Sequence, residues 1–349
     1  MNYSIFKKNL KSFQKSLNTK KMNEDSDYAK IISLSFLLYK MDTVLTDPKN
    51  FTPIKDMMHI LNETKNIFTS LMELNKYQKQ TSQKILRLNF EKNHNKLWQK
   101  LWPEYKIKND FLNLVDFRGK RLDFNNISDE FKNKSILDVG CGHGSVSFAC
   151  MFRGAKNADC IDFGEKNLEL GRYWAKNYNL QNKMKFYKQD ILKLKIKKQY
   201  DFVISSAVLH HLKNKNQINE AIKKISQACK KNGYFYFYVR GSGGMKYDLY
   251  ETIQQLMNDV DMLYIVKVLN DLNFTQEKIL YVVDAFKAVY LQTTIKDLIN
   301  TTSKSGFKLI RRLKGPHKTD MDINQLSEHK FSKIKFGTGE LRYLFQKIC

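Results

Sequence analysis

The sequence predicts an α/β fold: a doubly wound, mostly parallel seven-stranded sheet with an α-helical N-terminal region and a helical insertion after strand five. Three observations predict it. Short apolar segments alternate with segments of helical periodicity from residue 135 to residue 239, the order that parallel strands and right-handed crossover helices require. The first apolar segment runs directly into glycines at alternate positions. Residues 1–110 show helical periodicity and no strand pattern.

The glycines follow the first predicted strand, and residues 136–144 read Ile-Leu-Asp-Val-Gly-Cys-Gly-His-Gly. A glycine-rich turn between a strand and a helix lets the backbone approach a ligand closely and directs its N–H groups at that ligand. Ser145 is placed to cap the helix that follows. The spacing G-x-G-x-G differs from the G-x-G-x-x-G of nicotinamide-binding proteins and is insufficient by itself. The turn predicts a site for a nucleotide-type cofactor.

Acidic residues follow the next two predicted strands. Residues 158–161 lead into Asp162, which is 18 residues beyond Gly144, and residues 184–187 end near Asp190. An acidic residue at the end of the second strand is placed to accept two hydrogen bonds from a ribose. The strands predicted to complete the sheet are residues 200–205, 234–239, 308–311 and 341–346, the last of them antiparallel to the sixth.

Taken together, these residues resemble the class I S-adenosylmethionine-dependent methyltransferases. The resemblance is carried by Asp138-x-Gly140-x-Gly142-x-Gly144, Asp162, Gln189-Asp190-Ile191, and Asp201-x-x-x-x-Ser206 followed by Leu209-His210-His211, in the family's order and near its usual spacing. It covers residues 134–240 closely and residues 290–349 loosely. A Rossmann-like domain for another nucleotide is the alternative. That alternative does not explain why Asp138 and Asp190 both stand at strand ends that face one crevice.

The resemblance implies a Rossmann-like methyltransferase fold that binds S-adenosylmethionine. The glycine turn would pass under the amino-acid half of the cofactor, with Asp138 near its ammonium group. Asp162 would bind the ribose hydroxyls, and Asp190 with the backbone of Ile191 would bind the adenine edge. The other members of the implied cofactor-binding set are Gly140, Gly142, Gly144, Phe163 and Ser206.

Methyl transfer from a sulfonium depends mainly on position, alignment and exclusion of water. It requires no catalytic triad and no metal, and the sequence shows neither pattern. His210 and His211 follow the fourth strand, where the family places the acceptor, so either is a candidate to act as a base or to orient the acceptor. The alternative is that the pair starts the next helix and packs beneath it. Arg240 and Tyr247 are candidate contacts to the acceptor substrate.

The sequence predicts two domains, a helical one at residues 1–110 and a methyltransferase domain at residues 111–349. The first contains three segments of helical periodicity, the third at residues 85–102. Residues 111–133 are expected to be a connector, and the basic stretch within it either touches a substrate anion or is solvated. Residues 241–290 are expected to be a helical insertion that bends over the cleft mouth, with Asp284 and Tyr290 in or near that cover.

The formal net charge of +25 has two interpretations. It favours a polyanionic partner such as RNA. However, 51 of the 60 basic residues are lysines and only nine are arginines, spread along the whole chain, which is the composition that an AT-rich genome produces. The five cysteines form no C-x-x-C pair, so neither a zinc site nor a disulfide framework is indicated. Without an apolar run of membrane-spanning length or a signal-peptide pattern, the prediction is a cytoplasmic enzyme.

Three functions follow from these observations. The favoured one is methyl transfer from S-adenosylmethionine to a small or medium-sized metabolite by in-line displacement. The first alternative is an RNA methyltransferase that uses its basic surface, although no RNA-binding accessory motif is recognisable. The second is a non-catalytic module that has kept the cofactor-binding fold, and such a scaffold would have no need of Asp138, Asp162 and Asp190 together. The sequence leaves the acceptor and the oligomeric state open.

Overall fold

The computed structural model describes residues 2–18, 24–75, 111–195, 198–288, 290–317, 320, 322 and 329–348. The helical segment predicted at residues 85–102 lies outside the described residues. The described chain divides into two compact units. The first comprises what is described of Met1–Leu97, Gly243–Ala288 and Leu326–Gly337, and the second what is described of Trp98–Ser242, Val289–Gln325 and Thr338–Cys349.

The described chain begins with helices, continues with strands and helices in alternation, and ends on a strand. The α-helices are α1 (Tyr3–Leu17), α2 (Glu24–Thr46), α3 (Pro53–Asn75), α4 (Phe111–Phe124), α5 (Ser145–Met151), α6 (Glu165–Asn177), α7 (Lys215–Ala228), α8 (Gly244–Met257), α9 (Met262–Asp271), α10 (Gln276–Lys287), α11 (Ile295–Lys304) and α12 (Ser332–Phe336). The strands are β1 (Ser135–Val139), β2 (Asn157–Asp162), β3 (Met184–Lys188), β4 (Tyr200–Ser206), β5 (Cys229–Arg240), β6 (Phe307–Arg312) and β7 (Glu340–Lys347). Short 3₁₀ turns lie at Ser128–Glu130, Ile191–Lys193 and Leu209–His211.

In the first unit, α1 shows why these segments are helical. The residues that it buries, Phe6, Leu10, Phe13 and Leu17, recur every three or four positions and therefore form one face. Asn2 caps the helix, because its side chain accepts a hydrogen bond from the backbone N–H of Ser4 at 3.1 Å. The apolar face of α1 packs on α3 and α8, while α2 packs along α3.

The segment predicted as an insertion supplies α8, α9 and α10 to the same unit as the N-terminal helices. Asp261 caps α9 by accepting hydrogen bonds from the N–H groups of Leu263 and Tyr264. The buried amine of Lys287 donates to the carbonyl oxygens of Met257 and Asn258 at the end of α8. Because α8 also contacts α1, α2 and α12, the insertion shares its core with the N-terminal helices.

The second unit is built on a seven-stranded sheet of order β3-β2-β1-β4-β5-β7-β6. The five strands β1–β5 pair in parallel, and β7 pairs antiparallel with both β5 and β6. The mostly parallel, doubly wound fold is therefore confirmed, with a mixed edge. The expected antiparallel pairing of the last two strands is present, and β7 in addition lies between β5 and β6. All carboxyl ends of β1–β5 meet at one edge of the sheet, where open α/β sheets bind ligands.

Apolar residues cover both faces of this sheet, as buried parallel strands require. On β4, Phe202 and Ile204 face the side covered by α4, α5 and α6, whereas Val203 faces the side covered by α7 and α11. Alternate residues of β5 divide in the same way, with Tyr236 on the first side and Phe235 on the second. Two hydrophobic layers therefore hold the strands so that their carboxyl ends are left to form a site.

Three local features differ from the sequence-based expectations. Residues 111–133 begin with the helix α4 and are not simply a connector. Ser145 does not cap α5, because Gly144 occupies the N-cap position in the left-handed conformation (φ +84°) and Ser145 is the first helical residue. The fifth strand begins at Cys229, five residues before the predicted start, because the chain passes through Asn232 (φ +62°) without leaving the strand.

Candidate functional site

The glycine turn between β1 and α5 is left-handed at all three glycines. The φ angles are +73° at Gly140, +56° at Gly142 and +84° at Gly144, a region that favours glycine. A Cβ atom at Gly140 would lie 2.5 Å from both methyl carbons of Val208, so the turn packs tightly there. A Cβ atom at Gly142 would meet nothing within 4 Å. The tip of the turn therefore faces open space at the carboxyl edge of the sheet.

Asp162, at the end of β2, holds the tip of the glycine turn. Its Oδ2 accepts a hydrogen bond from Gly142 N–H and its Oδ1 accepts one from Gly164 N–H, both at 2.8 Å. Burial raises the pKa of Asp162, and these backbone hydrogen bonds oppose that shift. An ionised carboxylate offers about four acceptor positions, and with the backbone N–H of Phe163 also directed at it, at least one remains for a ligand's hydroxyl group.

Asp138 lies beside this turn on β1, with 2% of its surface exposed. Ser147 Oγ donates a hydrogen bond to its Oδ2 at 2.7 Å. Burial raises the pKa of Asp138 to about 7, the charge of Asp162 adds to that rise, and Arg118 opposes it. The structure thus brings Asp138, Asp162 and the three glycines together at one edge, with a carboxyl group that gains or loses its proton near neutrality.

Arg118, on α4, is the residue that sequence reasoning undervalued when it treated its segment as a connector. Burial and the neighbouring Arg121 lower the pKa of Arg118 to about 10. Burial and the charge of Arg118 lower the pKa of His143, in the glycine turn, to about 4. Arg118 Nε and His143 Nε2 are buried and make no hydrogen bond within the described structure. The sequence signal was two arginines one helical turn apart, shortly before the first strand.

Arg121 and Arg342, whose charges act on Arg118, have carboxylate partners of their own. Asp320 pairs with both Arg121 and Arg342, and Glu340 pairs with Arg342. Among the described residues, none forms an ion pair with Arg118. Within the described residues, the buried cluster therefore contains three guanidinium groups and these two carboxylates, and the charge of Arg118 acts on both Asp138 and His143.

Asp190 and its neighbours follow β3. The carboxylate of Asp190 accepts a hydrogen bond from Leu192 N–H at 2.9 Å and so caps the 3₁₀ turn Ile191–Lys193. Asp190 is exposed and Ile191 is half-buried. Phe163, after Asp162, exposes 40% of its surface at the same edge of the sheet. These positions leave the expected contacts to an adenine available, and the contacts themselves stay a prediction.

The other end of the site is formed after β4 and β5. Ser206 is the half-buried last residue of β4, and the chain turns at Ala207, which is left-handed (φ +62°). His210 is buried and accepts a hydrogen bond from Arg240 N–H at its Nδ1, at 3.0 Å. The ring of His211 lies 4.3 Å from that of His210, measured between centroids.

Tyr290 joins this group, because its ring centroid lies 4.9 Å from that of His211 and 3.3 Å from Arg240 Cζ. The structure therefore brings His210, His211 and Arg240 together with a tyrosine that was expected only near the cleft cover. Tyr247, the other candidate acceptor contact, is buried in α8 of the first unit, and Asp284 lies in α10 of that unit. Their expected roles stay predictions.

Across the described ranges, no group of three or more His, Cys, Asp or Glu side chains is arranged to hold a metal ion. In the same part of the chain, each helix is too short or too polar to cross a membrane.

Comparison with known proteins points to one family. Residues 130–287 match the family model of a methyltransferase domain. The chain is 33% identical over 105 residues to the ubiquinone biosynthesis O-methyltransferase of Pelagibacter ubique (strain HTCC1062), which is 30% of this chain and 41% of that protein. It is 30% identical over 122 residues to the malonyl-[acyl-carrier protein] O-methyltransferase of Priestia megaterium (strain DSM 319 / IMG 1521), which is 34% of this chain and 42% of that protein. The matches thus span about two fifths of the length of these curated relatives.

The solved structures that resemble this chain are more distant in sequence. One is an N-methyltransferase from Bradyrhizobium japonicum WM9 in complex with S-adenosyl-l-homocysteine, with 12% identity and a TM-score of 0.45 over 73% of this chain and 98% of that one. Another is the 1,6-didemethyltoxoflavin-N1-methyltransferase of Burkholderia thailandensis, with 13% identity and a TM-score of 0.45 over 77% of this chain and 94% of that one.

Proposed function

Since the chain carries a methyltransferase domain of the class I, S-adenosylmethionine-dependent family, we propose that the protein transfers a methyl group to a small or medium-sized metabolite. The observation that carries the proposal is the joint placement of Asp138, Asp162 and an open glycine turn at the carboxyl edge of the sheet. The names of the curated relatives favour oxygen as the methylated atom. When bound, S-adenosylmethionine supplies an electrophilic methyl group.

The residues at this edge match the cofactor both in their charge and in their shape. The space in front of Gly142 admits a ligand close to the backbone. Asp138, once ionised, would pair with the cofactor's ammonium group, and Asp162 would accept hydrogen bonds from its ribose. Arg118 would pair with the cofactor's carboxylate, since Asp320 and Glu340 pair with other arginines. Asp190, Ile191 and Phe163 would contact the adenine.

The decisive experiment follows the label from S-adenosyl-[methyl-³H]methionine. The protein is incubated with a metabolite extract below 3 kDa and, separately, with bulk RNA. We expect tritium in the small-molecule fraction and none above background in RNA. Label in RNA, together with binding that weakens steeply with salt, would instead support the RNA alternative.

A binding measurement tests whether the protein has a cofactor site at all. S-adenosylhomocysteine should bind in calorimetry, and Asp162→Ala should bind it more weakly because the ribose loses its acceptor. The variant also leaves two backbone N–H groups without their partner, so it should unfold about 1–3 kcal/mol more easily while remaining folded. An unchanged dissociation constant would remove Asp162 from the ribose site. No binding by the unmodified protein would overturn the proposed function.

A further inference from the structure

The adjacent histidines that follow β4 differ in burial and in contacts. His210 exposes 2% of its surface, whereas His211 is partly exposed. Both rings approach Tyr290, with centroid distances of 5.3 Å for His210 and 4.9 Å for His211. Because they lie at the carboxyl ends of β4 and β5, both belong to the edge that carries Asp138 and Asp162. Two imidazoles so placed need not have the same role.

His210 connects three segments of the second unit. Its Nδ1 accepts a hydrogen bond from Arg240 N–H at 3.0 Å, which ties the turn after β4 to the end of β5. Its backbone carbonyl accepts a hydrogen bond from Leu291 N–H at 2.7 Å, which ties the same turn to the segment that carries Tyr290. Since Nδ1 is the acceptor, the proton of the neutral ring must be on Nε2. A proton added at Nδ1 would break the bond to Arg240.

These bonds fix the backbone at Arg240 and at Leu291, the residue after Tyr290. The guanidinium carbon of Arg240 lies 3.3 Å from the centroid of the Tyr290 ring, which is the stacked geometry of a cation–π contact. His211 flanks the same ring. A shift of the turn after β4 would therefore move a base candidate, a cation and a phenol together.

We propose that His210 is a positioning residue and that His211 is the catalytic residue that takes the acceptor's proton. The proposal rests on the proposed function and adds that the acceptor group is a hydroxyl. In the transfer, the hydroxyl proton passes to an imidazole nitrogen of His211, the hydroxyl oxygen forms its bond to the methyl carbon, and the carbon–sulfur electron pair remains on sulfur. Arg240 stabilises the negative charge that develops on the acceptor oxygen.

The first test needs no acceptor. In the full-length protein labelled with ¹⁵N-histidine, we expect the His210 ring to show a protonated Nε2 and an unprotonated Nδ1. Hydrogen exchange of the Arg240 amide should be slow in the unmodified protein and in His211→Gln, and should become at least tenfold faster in His210→Leu. A proton on Nδ1 of His210, or unchanged exchange in His210→Leu, would overturn the positioning role.

The second test is methyl transfer into the metabolite extract below 3 kDa. His211→Gln should lower the rate by about 10²-fold or more, the typical contribution of a positioned base, without changing the affinity for S-adenosylhomocysteine. His210→Leu should also lose transfer, whereas His210→Asn should recover much of it because its side-chain oxygen can accept from Arg240 N–H. His59→Gln, on the exposed face of α3, is the control and should behave as the unmodified protein.

The outcomes separate the two proposals. If the unmodified protein neither binds S-adenosylhomocysteine nor transfers label, the proposed function fails, while the exchange and tautomer results still decide the role of His210. If the unmodified protein transfers the methyl group and His211→Gln does so at the same rate, His211 is not the catalytic residue and the proposed division of roles between the two histidines is wrong. If His210→Asn loses as much as His210→Leu, His210 acts through its ring and is not a positioning residue.

Discussion

At the scale of single residues, we expect the carboxyl group of Asp138 to make ligand binding depend on pH. Its pKa is raised from 3.8 to about 7 by burial, so a large part of the free protein is protonated at that position near neutrality. A ligand ammonium group pairs with the ionised form only. The affinity for S-adenosylhomocysteine should therefore fall about tenfold per pH unit below pH 7, as linkage requires. Calorimetry between pH 5.5 and 8.5 measures this change in affinity, and Asp138→Asn should make the affinity independent of pH.

The same shift affects the stability of the protein. Because the pKa of Asp138 is higher in the folded than in the unfolded chain, its contribution to stability is fully present below pH 3.8 and is lost as the pH rises through about 7. Asp138→Asn should therefore unfold at a higher temperature than the unmodified protein at pH 8.

For the binding prediction, an affinity for S-adenosylhomocysteine that stays constant between pH 5.5 and 8.5 would show that Asp138 is not the partner of the ammonium group.

Two glycines in the turn provide a matched pair of substitutions. Both have positive φ, so alanine at either position costs about 1–2 kcal/mol in backbone strain. Gly140→Ala must in addition displace Val208, whose methyl carbons would lie 2.5 Å from the new Cβ, whereas Gly142→Ala meets nothing. Gly140→Ala should thus be clearly less stable in urea denaturation than Gly142→Ala. Gly142→Ala should chiefly weaken the binding of S-adenosylhomocysteine, because the methyl group of the alanine occupies the space in front of the turn.

At the scale of elements, α4 is fixed to the sheet by a buried carboxylate. Asp320 pairs with Arg121 of α4 and with Arg342 of β7, and its own side chain is fully buried. Asp320→Ala should lower the free energy of unfolding by about 3–5 kcal/mol, because the buried guanidinium of Arg121 loses its counter-ion and that of Arg342 keeps only Glu340. The control is Asp116→Ala, which removes an exposed pair with Lys120 on the same helix and should cost less than about 1 kcal/mol. Equal losses would show that the buried pairs do not secure α4.

The elements also show what a sequence can predict and what it cannot. The first strand, the glycine turn and the position of Asp162 at the end of the second strand were predictable, because each depends on a local pattern in the sequence. The helix α4 was not predictable, since arginines such as Arg118 and Arg121 suggest a segment exposed to solvent. The burial of Arg121 is explained only by Asp320, a carboxylate far away in the sequence. The insertion of β7 between β5 and β6 was not either, because strand order depends on pairing between residues that are far apart in the chain.

At the scale of the whole molecule, the chain passes repeatedly between its two compact units. The first unit combines the N-terminal helices with α8, α9, α10 and α12. The apolar side chains of α8, among them Leu249, Ile253 and Met257, are buried, and α8 contacts α1 and α2 of the same unit. The division of the chain at residues 110 and 111, expected from the sequence, would separate helices that share one core.

A fragment of residues 111–349 tests this sharing. We expect it to aggregate or to bind a hydrophobic dye such as ANS, because α8 and α9 would lose the helices that cover their apolar side chains. Co-expression with residues 1–110 should restore solubility, since the missing face is then supplied in trans, and the full-length chain is the reference. A fragment that is monodisperse and silent to the dye would show that residues 111–349 fold as an independent domain. In that case the N-terminal helices would be an accessory to α8–α10, not part of their core.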